Sequence, residues 1–87
     1  MQDEQEMQDQ LLEIVENQIE SGEPKKVKET LMRLMMTGNS REDSIAMMGC
    51  AVAIEVFDVV NNGATFNEKR YAEHLERLPD LGFMEGE

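Results

Sequence analysis

His74 is the only histidine in this chain and Cys50 the only cysteine. A histidine base or a thiolate nucleophile could come only from these two. His74 lies in "YAEHLERL", on a helix with a largely polar surface, and is expected to be solvated. Cys50 sits inside the apolar run "AMMGCAVAIEVF" and reads as a small buried hydrophobe. A single cysteine makes no internal disulfide and gives no sign of an oxidising compartment. Ser21, Ser40 and Ser44 have no base to activate them except His74, and two of them read as helix-end residues. Carboxylates recur at helical spacing as Glu13, Glu16 and Glu20, then as Glu55 and Asp58. A carboxylate-bridged metal pair in a helical bundle needs Glu-x-x-His pairs projecting inward. The chain contains none. The glycines are scattered, so no phosphate-cradling loop forms. The reading is therefore no catalytic residue, no cofactor and no metal site.

The methionines suggest binding rather than catalysis. They cluster as "MRLMM" and "AMMG". Flexible thioethers suit both irregular cores and adaptable grooves. Met35, Met47 and Met48 are expected in the core. Met32 and Met36 fall off the strongest apolar stripe of their helix. With Met47 they make a candidate groove for a small apolar ligand or peptide.

Four helices are expected to position these residues, over Glu4–Ser21, Pro24–Thr37, Arg41–Asn62 and Phe66–Leu78. In the first, Leu11, Val15 and Ile19 recur every four residues, with Leu12 beside them. Residues 1–8 carry few apolar side chains and are expected to fray. Gly22 supplies a stop and Pro24 suits the next first turn. In the second, Val27, Leu31, Leu34 and Met35 share a face. Its first turn carries Lys25, Lys26 and Lys28, which oppose the helix dipole. Glu13, Glu16 and Glu20 of the first helix are the expected compensation, with a partner protein as the alternative.

The third helix opens with Ser40 and Asp43 at capping-box spacing and closes at Gly63. At 100° per residue, Ser44, Ala51, Glu55, Asp58 and Asn62 form one narrow polar stripe. Opposite lie the small residues Ala46, Gly49, Cys50 and Ala53. β-Branched residues crowd its second half, but the helical spacing of the polar stripe rules against a strand over 52–60. The fourth helix has Thr65 and Glu68 at capping-box spacing, Tyr71, Leu75 and Leu78 inward, and Pro79 as its stop. The tail over 80–87 could dock Leu81, Phe83 and Met84 on the bundle edge. The fold class is all-α: one small four-helix domain over 1–87 with a central, mostly apolar third helix.

Charge bounds the partners. The net charge is −11, and no basic residue precedes Lys25. Such a chain is repelled by phosphate backbones and anionic membranes, so neither nucleic acid nor membrane is an expected partner. An acidic mimic occupying a basic partner is a remote alternative. The opening "MQDEQEMQ" is unlike a signal peptide, and the ten uncharged residues from Ile45 to Ile54 are too short to span a bilayer. The expectation is a cytoplasmic protein.

Several features are shared with known chains: Glu16-Asn17-Gln18, Pro24, Arg33-Leu34, Gly38, the Met47-Met48 pair and the closing Tyr71, Leu75, Leu78-Pro79 pattern. From about Leu11 to Pro79 the chain resembles a group of small uncharacterised bacterial helical proteins. The resemblance implies a helical fold and a bacterial origin but no activity. Relatives often carry histidines on the first and third helices. Here the corresponding places, near Leu12 and near Ile45 or Ala46, have none.

The third helix is apolar over roughly 240° of its circumference, more than three short amphipathic helices can cover. A bare apolar patch usually marks an interface. The expected role is a non-enzymatic interaction or scaffold protein acting as a homodimer. Its candidate interface is Ala46, Gly49, Cys50, Ala53 and Phe57. The alternative is a monomer whose tail covers the gap.

Overall fold

The computed structural model describes residues 4–84. Four α-helices follow in order: α1 Glu4–Ser21, α2 Lys25–Met36, α3 Arg41–Asn62 and α4 Glu68–Arg77. A 3-10 turn, Gly82–Met84, ends the described chain. No strand occurs among the described residues. The bounds of α1 and α3 match those expected, while α2 and α4 are shorter at both ends. Of the expected fray over 1–8, residues 1–3 lie outside the described residues, as do 85–87 of the tail. The Cα radius of gyration, 12.5 Å, is close to the roughly 12 Å expected for one domain of this length.

Local signals set the helix ends. Ser40 Oγ accepts the Asp43 backbone N–H at 3.0 Å, and Gly63 closes α3 in the left-handed region at φ 66°. There a Cβ would be strained, so glycine is the residue of choice. The start of α4 departs from expectation. Its N-cap is Asn67, whose Oδ1 accepts the Arg70 N–H at 2.9 Å, not Thr65. Phe66, just outside the helix, meets Tyr71 edge-on with ring centroids 5.3 Å apart. That pairing of N′ with N4 is a hydrophobic staple. It moves the entry of the helix two residues beyond the threonine.

The core is built from all four helices. Val15 of α1, Val27, Leu31 and Leu34 of α2, Ile45, Met48 and Val52 of α3, and Tyr71, Leu75 and Leu78 at α4 are buried. Glu16 lies beside Arg41 and Leu12 beside Gly49, so α1 and α3 run antiparallel. Tyr71 Oη donates to Gln18 Oε1 at 2.7 Å, tying α4 to α1. Burial holds the Tyr71 hydroxyl well above its ordinary pKa. Arg33 of α2 donates to the carbonyls of Leu78 and Leu75 at 2.8 and 3.0 Å. A cation thereby caps the negative end of α4, satisfying carbonyls that the helix leaves open.

Two expectations about α2 are corrected. Lys26 is compensated from α4, by Glu76 at 2.8 Å, with Glu29 at 3.8 Å on its own helix. Of the α1 acids expected there, Glu16 instead holds both terminal nitrogens of Arg41 at 3.0 Å. Met35, expected in the core, is 44% exposed. The buried face of α2 is centred on Val27, Thr30, Leu31 and Leu34. That rotation leaves Met35 about 90° away and brings Thr30 inside.

Candidate functional site

The two sides of α3 carry the features most capable of function. The polar stripe faces inward as far as Glu55 and reaches the surface at Asn62. Ser44, Ala51 and Glu55 are fully buried. The Ser44 hydroxyl is satisfied by the Ser40 carbonyl at 2.7 Å. The Glu55 carboxylate takes three hydrogen bonds: from the Asn67 backbone N–H at 3.0 Å, and from Arg70 Nε and Nη2 at 2.6 and 3.0 Å. Arg70 Nη2 also reaches Asp58 Oδ2 at 2.9 Å. Asn62 completes the group by donating to Asp58 Oδ1 at 2.7 Å.

This arrangement is a clamp between α3 and the start of α4. The bidentate geometry matches a planar guanidinium to a planar carboxylate. The Asn62 amide and then Arg70 hold the Asp58 carboxyl below its ordinary pKa. Glu55, more than Asp58, pushes the Arg70 guanidinium further toward its charged form. Both carboxylates therefore have partners within the clamp, and it offers no free acid–base pair.

His74 does not stand in solvent as expected. It is half-buried, and its ring stacks on Phe83 of the tail with centroids 4.4 Å apart and planes 9° from parallel. Arg77 lies over the other ring, 5.9 Å from the Phe83 centroid. His74 Nδ1 is buried without a hydrogen-bond partner. Burial pulls the imidazole below its ordinary pKa. The tail thus settles on α4, while Leu81 is 36% exposed. The Met84 side chain lies outside those described. Cys50 is half-buried, and burial pushes its thiol upward, away from a reactive thiolate. Among the described residues, no group of three His, Cys, Asp or Glu is placed to hold a metal.

The other side of α3 faces outward. Phe57 is 67% exposed and Val60 74%. Ala46 is exposed, Cys50 and Ala53 are half-buried, and only Gly49 is covered. A Cβ placed on Gly49 would sit 3.4 Å from Leu12 Cδ2, so Leu12 of α1 already packs onto this glycine. A shallow hollow remains, lined by Gln8, Leu11, Leu12, Ala46, Gly49, Cys50 and Ala53. A second hollow continues past Ala53 to Ile54, Phe57, Asp58 and Arg70. The five candidate interface residues therefore share one outward strip, with Gly49 at its covered edge.

No protein-family model, curated protein or solved structure matches the chain. What the strip can do rests on its own chemistry.

The methionine candidates are less concentrated. Met32 is 59% and Met36 82% exposed on α2, whereas Met47 is half-buried against the core from α3. The hollows along α3 contain none of the three. Sequence reasoning missed the Glu55–Arg70 clamp, because it found the polar stripe without a partner for Glu55. The available signal was its composition: two of its five members, Ser44 and Ala51, are small enough to pack inside. Among the described residues, no helix is long and apolar enough to cross a membrane.

Proposed function

We propose that this chain is a non-enzymatic interaction protein that works as a homodimer joined through the outward strip of α3. The observation that carries the reading is the joint exposure of Phe57 and Val60 on one helix. Exposed apolar side chains grouped in a strip favour association. A two-fold pair, in which one patch meets its own copy, is the commonest solution. The tail does not compete for this strip, because its Phe83 is engaged by His74. The strip lacks an acid–base pair, and the polar clamp beneath it is internally satisfied, which favours a binding role over catalysis. A cytoplasmic setting and the resemblance to small bacterial proteins go with this reading.

Light scattering coupled to size exclusion tests it. The expected mass is twice 9.9 kDa at tens of micromolar. A single-chain mass at that concentration rejects the dimer. A second reading, an apolar ligand or peptide on the methionine surface of α2, is favoured by the exposure of Met32 and Met36 one turn apart. A thermal shift with apolar ligands and no change in mass would favour it.

A further inference from the structure

We infer that two copies pair with their α3 helices antiparallel about a two-fold axis near Ala53, each inserting Phe57 into the hollow of the other. The inference rests on the homodimer reading and adds its geometry. Three observations carry it.

The first is spacing. Ala46, Cys50, Ala53, Phe57 and Val60 are separated by four, three, four and three residues. That alternation is the seam of a helix pair. It ordinarily faces a partner helix, and here it faces outward.

The second is shape. A seam side chain enters a hole made by residues i, i+3, i+4 and i+7 of the facing helix. Ala46, Gly49, Cys50 and Ala53 have that spacing and line the hollow beside Leu12. All four are small, and although Leu12 of α1 packs onto Gly49, a hollow stays open beside them. Phe57 is the large apolar residue beside them, and it projects. Knob and hole occur on one strip, so two copies satisfy each other. For Phe57 to reach the centre of the hole, between Gly49 and Cys50, the axis must pass near Ala53. Val60 then meets Ala46. A parallel pair would set Phe57 against Phe57 and hollow against hollow.

The third is charge and size. Between Ile45 and Val60 the two charged residues, Glu55 and Asp58, are both engaged by Arg70. A basic partner finds no free carboxylate in the seam, whereas a second uncharged seam loses nothing on contact. The low end of specific interfaces is about 600 Å² per partner. That is about a tenth of the 5902 Å² surface. Each copy carries −11, so salt should tighten the pair by screening the repulsion between the bodies. A basic partner would show the opposite dependence.

Disulfide trapping in a Cys50→Ser background tests the register. Ala53→Cys should link to itself under mild oxidation, because the axis brings the two positions together within disulfide reach. Val60→Cys alone should not, since its two copies stand about 21 Å apart along the seam. Mixing Val60→Cys with Ala46→Cys should give the mixed dimer. Efficient self-linking of Val60→Cys in a protein of dimeric mass overturns the antiparallel register. So does a dimeric mass without linking at Ala53→Cys. Both results leave the homodimer reading standing. A single-chain mass for the unmodified protein at every salt and concentration, with no linking, overturns both.

Discussion

The inward and outward sides of α3 resolve opposite problems with similar stretches of chain. On the inward side a full negative charge is buried at Glu55. On the outward side a phenylalanine and a valine stand in water at Phe57 and Val60. A buried carboxylate is tolerable only when its oxygens are satisfied, and Arg70 and Asn67 satisfy them. Exposed apolar side chains are tolerable on a small domain, but grouped in a strip they favour association. The inward side therefore specifies how α4 docks on α3. The outward side leaves Phe57 and Val60 exposed. Substitutions on the two sides should separate these roles.

The largest effect is expected at the buried charge. Glu55→Ala leaves the Asn67 N–H without its acceptor and removes the main partner of Arg70. Breaking a buried pair from one side typically costs about 3–5 kcal/mol. The low end, about 3 kcal/mol, applies here because Arg70 is partly exposed and keeps Asp58. Urea denaturation measures it. The double change Glu55→Leu with Arg70→Met should recover much of the loss, since an apolar pair of similar size removes both charges. A loss under 1 kcal/mol for Glu55→Ala would remove the clamp from any account of the fold.

Next comes the apolar part of the same side. Met48 is fully buried, and Met48→Ala should cost about 2–3 kcal/mol through lost transfer energy and a residual cavity. The paired contrast is Met36→Ala on α2, where 82% exposure predicts a change within about 0.5 kcal/mol. Equal losses at the two methionines would break the distinction between core and surface thioethers.

The helix pattern was legible in the sequence where short-range signals act. Ser40 with Asp43, Gly22, Gly63 and the four-residue recurrence of Leu11, Val15 and Ile19 all produce the elements they suggest. The rotation of each helix was harder to read, because it depends on long-range partners. Glu55 looks solvent-facing until Arg70, fifteen residues on, is folded against it. Met35 looks buried until Thr30 takes the inner position. His74 looks solvated until Phe83 of the tail lies on it. The exposure of Phe57 and Val60 depends less on distant partners, since among the described residues no other element of the chain covers them.

A pH effect follows from His74. Its folded pKa is lowered, chiefly by burial, so the unfolded chain binds the proton more readily. The associated stability is present above the unfolded value of about 6.5 and is lost as pH falls below it and through the lowered folded value. Glu55 and Glu73 pull the imidazole upward, while Arg70 and Arg77 push it down. Thermal stability should therefore fall between pH 7 and 5. His74→Phe, which keeps an aromatic ring on Phe83, should flatten the slope. An unchanged slope in that variant would assign the acid sensitivity to carboxylates instead.

The smallest effect on the isolated chain is expected at Phe57, the residue on which the proposed dimer relies most. Phe57→Ser replaces a side chain on a 67% exposed residue, so at high dilution it should shift unfolding by no more than about 0.5 kcal/mol. At tens of micromolar the comparison changes. A dimer stabilises its folded form by mass action, so Tm of the unmodified protein should rise with concentration. The Phe57→Ser variant should lose that rise while keeping the same helical circular dichroism. Helicity separates this outcome from misfolding, and the concentration series separates it from a general loss of stability. If Phe57→Ser instead lowers Tm equally at every concentration, the ring is holding its own chain together. The outward strip would then be part of the same structural system as Glu55, and the division between the two sides of α3 would fail.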